Sequence, residues 1–392
     1  MSTTSHWQRL AWPVRTYDAI IVGMGIMGSS AAHFLSSRAP SMRIALVDAG
    51  NIAAGASGRN AGFCIQGTSH DYADAVENLG RDRARALYRV TQRTREILAT
   101  DEHSSAYELQ LKGGIRIAAS EEEATRLHRS ATALQADGFA AQLIEKGELE
   151  AKTAFRGGEL GLLSPEGGML QPARLVRRMA LASSADILSG HEVRRVEQDG
   201  PLVTVDTHRG RLQAPRVLLA INAYLPRVLP EAQAWVTPIR AQMCAMPPSF
   251  RVPLPYPLYT HDGYFYVRND ARGRLLVGGA RHLFRAEEKG YGDATTSALQ
   301  QALRTYVHEH LRANPPEPEY AWAGTMGYAP SGVPFLSPLP DRSAIWVAGG
   351  FTGHGMAFGP ALGELLAQAW TGPTPGELAL FPLPSQPFNE TL

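Results

Sequence analysis

Three glycines near the amino terminus have the spacing of a phosphate-binding turn. Gly23, Gly25 and Gly28 form the pattern Gly-x-Gly-x-x-Gly between an apolar run and a run of small residues. A tight turn at Gly23 and a bare backbone at Gly25 would let a pyrophosphate reach the N-terminus of the following helix, while Gly28 permits close helix packing. Asp48 ends the next apolar run, where its carboxylate would accept hydrogen bonds from the ribose hydroxyls. The same negative charge would disfavour a 2′-phosphate, so NADP is not expected. The pattern predicts a dinucleotide site; a tight strand–helix turn without a ligand is the alternative.

Two further glycine-rich loops distinguish FAD from NAD. Residues 55–62 (GASGRNAG) are too many for a simple chain reversal, and they could wrap a pyrophosphate while bringing Arg59 beside a flavin ring. Residues 349–355 join an apolar run to a helix of small residues, whose N-terminus can stabilise the negative charge of a reduced flavin. These loops favour FAD. A flexible surface loop at 55–62 and a plain NAD dehydrogenase are the alternatives.

The elements that must position these loops indicate an α/β fold. Residues 17–23, 29–37 and 43–48 predict a strand, a helix and a strand, as in one crossover unit of a parallel sheet. Apolar runs at 216–220 and 343–348 predict two more buried strands. We therefore expect a Rossmann-like FAD/NAD(P)-binding domain.

The remaining segments predict a second domain of α+β type. Helices are expected at residues 72–100, 121–137 and 293–312. Short strands from residue 191 onward, separated by Asp-Gly and Arg-Gly, indicate an antiparallel meander, and residues 263–268 and 274–278 predict a hairpin.

The predicted domains are discontinuous in the chain. We assign residues 17–78, 155–225 and 330–378 to the FAD-binding domain, and residues 79–154 and 226–329 to an antiparallel-sheet substrate domain. Residues 1–16 are expected to form an arm that packs on the surface, with membrane contact as the alternative.

Composition narrows the class of protein. The chain has 392 residues, of which 44% are hydrophobic and 19% charged, and its net charge is +1. These values are typical of a globular protein and give no reason to expect nucleic acid as a partner. No apolar run approaches the ~18 residues of a membrane-spanning helix. Cys64 and Cys244 have no zinc or disulfide spacing, so we expect no metal site and a cytoplasmic location.

Nine segments occur in an order that is characteristic of a known family. They are YDAIIVGMGIMGSSAAHFL, RIALVDAG, GASGRNAG, GGIRIA, PEGGMLQPARLVRRM, VLLAINAY, TPIRAQM, GRLLVGG and GFTGHGMAFGPALG. Together they resemble the D-amino-acid-oxidase-like (DAO) family of FAD-dependent oxidoreductases, which includes glycine, sarcosine and γ-glutamylputrescine oxidases. The resemblance extends from Tyr17 to about Gly372. It is specific for the family and not for a substrate.

The resemblance implies a set of residues that bind FAD. They are Gly23, Gly25, Ile26, Met27, Gly28, Asp48, Ala49, Ser57, Gly58, Arg59, Asn60, Ala61, Gly62, Val193, Ala220, Gly353, His354, Gly355 and Met356. No cysteine stands where sarcosine oxidases tether their flavin, so we expect the FAD to be non-covalent.

The resemblance also implies where the substrate binds. Candidate residues on or near the antiparallel sheet are Tyr264, Tyr266, Arg268, Arg240, Met326 and Tyr328. A sheet face that packs within its own domain is the alternative for the hairpin residues.

Two departures from the family pattern bear on chemistry. Amino-acid oxidases of the family hold the substrate carboxylate with an arginine where this chain has Met326, and a thioether cannot form a bidentate clamp. A simple α-amino acid is therefore disfavoured unless Arg240 or Arg268 substitutes. Leu276 lies near the position of a lysine that assists oxygen in some sarcosine oxidases, so we expect oxygen to be a poor acceptor.

The reaction that the resemblance implies is oxidation of a C–N bond of an amine or amino acid. Hydride passes to flavin N5, and the resulting imine hydrolyses. No acid–base residue is obligatory; for His354 we favour contact with the flavin or ordering of its loop over a role as base. The electron acceptor is O2 or a carrier such as a quinone. The alternatives are a flavin dehydrogenase of a 2-hydroxy acid and a non-catalytic flavin-binding assembly factor.

Overall fold

The computed structural model describes Ser5, Trp7 and residues 14–311 and 313–385. Most of the predicted arm at 1–16 lies outside these residues. The described residues form nine α-helices: α1 Ile26–Arg38, α2 Ala56–Arg59, α3 Tyr72–Leu79, α4 Arg81–Thr100, α5 Glu121–Ala136, α6 Lys146–Thr153, α7 Pro172–Leu181, α8 Ser297–His310 and α9 Gly355–Thr371.

Twenty strands accompany the helices. They are β1 Arg15–Thr16, β2 Ala19–Val22, β3 Ile44–Val47, β4 Phe63–Cys64, β5 Gly114–Ala118, β6 Gln142–Glu145, β7 Leu160–Ser164, β8 Gly168–Met169, β9 Asp186–Leu188, β10 Val193–Asp199, β11 Leu202–Thr207, β12 Gly210–Ala214, β13 Val217–Leu219, β14 Thr237–Ala245, β15 Leu258–Thr260, β16 Phe265–Asn269, β17 Leu275–Gly279, β18 Tyr320–Tyr328, β19 Phe335–Leu339 and β20 Arg342–Gly349.

A six-stranded sheet forms the first half of the molecule. Its order is β19-β20-β13-β2-β3-β9, and every pair is parallel except β19 with β20 at one edge. Alternate side chains of each strand point to opposite faces of the sheet. Both faces are buried, because each is covered by its own layer of the chain. Ile21 and Leu46 pack with α1 and α9, whereas Ile20 and Val47 pack with the meander β10-β11-β12. The expected Rossmann-like architecture is confirmed.

An eight-stranded sheet forms the second half. Its order is β18-β14-β17-β16-β15-β5-β7-β6. On one face Cys244, Val267 and Val277 pack with α8. On the other face Met243 and Tyr266 are directed toward the first half, so the alternation of each strand determines which side chains reach the space between the halves.

Several elements differ from the sequence-based prediction. The helix expected at 72–100 is two helices, because Gly80 adopts a φ of +82° between α3 and α4. The strand β7 pairs with β5 and β6, so residues 160–164 belong to the second sheet and not to the first domain as assigned. The helix α4, assigned to the second domain, packs on α9 through the bond from the Ala361 N–H to Thr94 Oγ1. The predicted hairpin is formed by β16 and β17.

The basic helix α4 uses its arginines within the chain. Arg81 pairs with Asp137 at 2.9 Å, and Arg93 pairs with Glu364 at 2.8 Å. These contacts are typical of a solvated, ion-paired helix face. Among the described residues, no helix combines the length and apolarity that crossing a bilayer requires.

Candidate active site

A cavity of about 500 Å³ lies at the carboxyl ends of the parallel strands. Its wall includes Gly23 after β2, Asp48 after β3 and Ala220 after β13. The helices α1 and α9 begin at the same wall, through Ile26 and Gly355. Open α/β sheets bind ligands at this position, because several loops and helix N-termini converge there.

The glycine turn is tight for steric reasons that the coordinates show directly. Gly23 has a φ of +114°, and a Cβ there would lie 2.5 Å from the carbonyl oxygen of Ala220. A Cβ on Gly28 would lie 1.9 Å from the carbonyl oxygen of Gly23. The helix α1 is therefore pressed onto β2, and its first turn lines the cavity. The backbone N–H of Ile26 donates to Ser57 Oγ at 2.9 Å, which joins the turn to the second glycine-rich loop.

Asp48 is fixed by backbone donors at the cavity wall. Its Oδ2 accepts the N–H of Met24 at 2.7 Å, and its Oδ1 accepts the N–H of Gly50 at 2.7 Å. Each carboxylate oxygen has a further lone pair, so Asp48 can accept additional hydrogen bonds from ribose hydroxyls. Val193, on the same wall, supplies the start of the meander.

The loop at residues 55–62 is an ordered turn that contains α2. The Asn60 side chain donates to two preceding carbonyls and accepts the N–H of Gly62 at 2.7 Å. Arg59 donates to the carbonyl oxygens of Ala54 and Ala323, both at 2.9 Å. These bonds contradict the alternative of a flexible surface loop and join the loop to β18 of the second sheet.

A smaller cavity of about 130 Å³ adjoins the first. The two cavities share Ala56, Asn60, Met326 and Gly353 as lining residues. The smaller cavity lies between the loop at 55–62, the second sheet and the residues that precede α9. A ligand in the larger cavity and a second molecule in the smaller one would meet at these shared residues.

Tyrosines from the second sheet line the smaller cavity. Tyr259 and Tyr266 project from neighbouring strands on the face opposite α8, and Phe63 packs edge-on against Tyr259 at 4.6 Å. Burial raises the pKa of both tyrosines, so their phenols are neutral at physiological pH and act as hydrogen-bonding groups and not as bases. The predicted residues Tyr264, Met326 and Tyr328 also line this cavity.

Two predicted arginines lie elsewhere. Arg240 is on the opposite face of β14, where it pairs with the buried carboxylate of Glu288 at 2.6 Å. Arg268 donates to the carbonyl oxygen of Leu170 at 2.9 Å and is buried beside Gly62. Neither lines the smaller cavity, so neither is placed to substitute for the missing arginine, which was the exception that the sequence left open.

Arg281 is the arginine that the structure brings to the cavity instead. It follows β17 and lines the smaller cavity between Tyr264 and Tyr328. Arg116 also reaches this wall, where it pairs with Asp71. Sequence reasoning missed Arg281, although a basic residue two positions after a strand that ends in two glycines was an available signal.

His354 caps the N-terminus of α9 and lines the smaller cavity. Burial, together with the nearby Arg116 and His70, lowers the pKa of its imidazole to about 4. The ring is therefore neutral at pH 7, and its Nδ1 donates to the carbonyl oxygen of Thr352 at 3.1 Å. A pKa so far below neutrality makes His354 a poor base and supports its predicted role in ordering the loop.

Comparison with known proteins decides the family. The sequence profile described as "DAO: FAD dependent oxidoreductase" matches residues 18–369. The chain belongs to this family. The DAO protein is 27% identical over 372 residues to the "Probable oxidoreductase OrdL" of Rhizobium meliloti, with 91% of this chain and 84% of that protein covered. It is 25% identical to the gamma-glutamylputrescine oxidoreductase of Escherichia coli, with 95% and 88% covered.

Solved structures agree on the fold of the DAO protein. The crystal structure of glycine oxidase from Geobacillus kaustophilus superposes with a TM-score of 0.78 at 23% sequence identity. The superposition covers 95% of this chain and all of that one. The resemblance predicted from sequence, the fold class and the FAD cofactor are confirmed.

The residues of the larger cavity fit FAD. The Thr325 hydroxyl oxygen is buried at its wall without a hydrogen-bond partner in the described part of the chain, as a cofactor-binding group would be. Of the predicted cofactor residues, thirteen line this cavity: Gly23, Gly25, Ile26, Met27, Asp48, Ala49, Ser57, Asn60, Val193, Ala220, Gly353, Gly355 and Met356.

The other predicted cofactor residues have different positions. Arg59, Ala61 and His354 line the smaller cavity. Gly28, Gly58 and Gly62 pack under carbonyl oxygens and permit close approach of the backbone. Sequence reasoning missed several residues of the larger cavity, which come from segments far apart in the chain: His191, Asn222, Tyr224, Arg227, Thr325 and Phe351.

Proposed function

We propose that this DAO-family chain oxidises the C–N bond of an amine or amino acid, with the substrate in the smaller cavity. The observation that carries the proposal is the adjoining pair of cavities that share Met326 and Gly353. Relatives named glycine oxidase and gamma-glutamylputrescine oxidoreductase, which act on amines by name, match over most of their length and support the same chemistry.

The chain's own residues position and enclose the reactants. Bound FAD supplies a two-electron acceptor for a hydride. Tyr259, Tyr266 and Met326 line this cavity and none of them acts as a base, so the reaction needs no base from the protein if the amine binds in its deprotonated form. The neutral imidazole of His354 agrees with this, because no side chain is required to carry a proton.

We propose further that the FAD is held without a covalent bond and that oxygen is a poor electron acceptor. Both cysteines are buried free thiols, and burial raises the pKa of each to about 12, which disfavours the reactive thiolate. Leu276 packs with Met243 and Tyr266, and none of the described residues that line the smaller cavity is a lysine. A carrier such as a quinone is then the physiological acceptor, and a cytoplasmic location stays a prediction.

Anaerobic bleaching of the flavin tests the proposal. The holoenzyme is mixed with primary, secondary and N-methylated amines, with amino acids and with 2-hydroxy acids, and the loss of flavin absorbance is followed. We expect bleaching by at least one amine or amino acid, and faster turnover with a quinone or dye than with oxygen. Bleaching by 2-hydroxy acids alone, or by no compound, would contradict the proposed reaction.

A further inference from the structure

We propose that Arg281 binds the carboxylate of the substrate, so that the substrate is an amino acid and not a simple amine. The inference rests on the proposed function and deepens it. It rests on three observations: where the guanidinium lies, what holds it, and which charges surround it.

Arg281 lies at a fixed position in the wall of the smaller cavity. It follows β17 after Ala280, whose φ is +60°, and begins a short 3₁₀ turn. Its guanidinium carbon lies 4.7 Å from the ring centre of Tyr264 and 4.8 Å from that of Tyr328. At these distances the two rings attract the cation, and its N–H groups can still donate hydrogen bonds. The two rings therefore hold the guanidinium at the wall of the cavity.

The other arginines near the site already have partners. Arg116 pairs with Asp71, and Arg240 pairs with Glu288. Arg59 and Arg268 donate to backbone carbonyl oxygens. For Arg281, by contrast, no carboxylate lies within ion-pair distance in the part of the chain that the structure describes.

The charge of the cavity wall favours an anion. Asp262 is the acidic residue among the described residues of the lining, and it pairs with Arg126 at 2.5 Å. The imidazole of His354 is neutral. The positive charge of Arg281 is therefore not compensated within the wall, and a partly desolvated guanidinium gains most from a negatively charged ligand group.

A carboxylate is the anionic group that an amino-acid substrate of the proposed function would bring to this site. One guanidinium forms two parallel N–H···O bonds with the two oxygens of a carboxylate, and the flanking phenols add neutral donors. Met326 lies in the same wall, but its side chain has no hydrogen-bond donor. We therefore place the carboxylate on Arg281, which follows a different strand of the second sheet.

Matched ligand pairs test the proposal. We would measure the anaerobic rate of flavin reduction against concentration for proline and pyrrolidine, N-methylglycine and dimethylamine, and glycine and methylamine. Acetate, which cannot be oxidised, would be titrated by its change of the flavin spectrum and by its slowing of flavin reduction. These measurements give dissociation constants separately from limiting rates.

Arg281→Met is the test variant, Arg281→Lys the conservative one, and Arg285→Met the matched control. Arg285 is exposed and lies outside the cavity lining, although its guanidinium is 6.0 Å from the Tyr264 ring centre. We expect Arg281→Met to weaken acetate and amino-acid binding by roughly 10- to 100-fold, as loss of a charge-assisted hydrogen-bond pair does. Arg281→Lys should recover part of this loss, and Arg285→Met should bind as the wild type does.

Each outcome decides the inference. Two results would show that Arg281 does not bind a carboxylate while leaving the proposed C–N oxidation intact. The first is that amines reduce the flavin of the wild type as readily as the matching amino acids do. The second is that acetate at 100-fold excess over enzyme neither changes the flavin spectrum nor slows flavin reduction. If acetate binding depends on Arg281 but only 2-hydroxy acids bleach the flavin, the carboxylate site stands and the proposed function fails. Flavin content of each variant verifies that it is folded.

Discussion

The buried pair of Arg240 and Glu288 distinguishes a structural arginine from a substrate-binding one. The side chain of Glu288 is only 1% exposed. Its carboxylate accepts hydrogen bonds from two N–H groups of Arg240, at 2.6 and 3.0 Å, and from one N–H group of Gln242, at 2.8 Å. Arg240→Met removes two of these three donors and leaves the charge buried. Because each charge-assisted bond contributes about 1.5–3 kcal/mol, and broken buried pairs cost about 3–5 kcal/mol, we expect the free energy of unfolding to fall by about 3–5 kcal/mol.

The assay is urea unfolding of the holoenzyme, followed by flavin fluorescence and far-UV circular dichroism. The double variant Arg240→Met with Glu288→Met removes both charges and keeps an apolar volume, while Gln242 still donates to Thr296 Oγ1 at 3.1 Å. We expect the double variant to recover most of the loss, because the uncompensated charge and not the missing arginine is the cause. Substrate affinity should be unchanged in whichever variant stays folded.

A structural role for Arg240 is refuted if Arg240→Met is as stable as the wild type but binds amino acids less tightly. That result would place Arg240 in the substrate site, as the sequence had indicated, and would remove the structural basis for preferring Arg281.

Gly28→Ala would place a Cβ 1.9 Å from the Gly23 carbonyl oxygen, so this variant should lose most of its bound flavin, measured by absorbance. The control Gly147→Ala, where a Cβ would have no atom within 4 Å, should keep its flavin. Equal flavin content in the two variants would contradict the packing argument. Asp48→Ala should weaken FAD binding by about 10- to 100-fold, because the cofactor loses a charged hydrogen-bond acceptor that the backbone holds in place. The measurement is the release of flavin from diluted holoenzyme. Unchanged release would mean that Asp48 does not contact the ribose. The pKa of His354 is about 4 in the folded protein and about 6.5 in the unfolded chain. As the pH drops from about 6.5 toward 4, the unfolded chain therefore binds a proton at His354 that the folded protein does not, and the free energy of unfolding falls. His354→Gln should lessen that fall in the thermal midpoint of the holoenzyme between pH 7.5 and 5, and an equal fall in both proteins would exclude His354 as a contributor.

The nucleotide-binding half could be predicted from the sequence because its signals are local. The spacing of Gly23, Gly25 and Gly28 and the strand before them specify a turn within a few residues. The uninterrupted apolar runs of β2 and β3 specify a sheet that is buried on both faces. The break at Gly80 and the position of β7 were missed. A periodic pattern does not show that one glycine has a φ of +82°, and strand pairing depends on segments distant in the chain.

The substrate site depended on tertiary structure. Sequence alone identified a family, a cofactor and a missing arginine at Met326, but it named Arg240 and Arg268 as possible substitutes and did not name Arg281. The pairing of β14 and its contact with Glu288, 48 residues away, direct Arg240 to the face opposite the cavity. The end of β17 brings Arg281 between Tyr264 and Tyr328, which lie 64 positions apart in the chain. Which charge is compensated is a property of contacts between distant segments, and only the folded chain determines it.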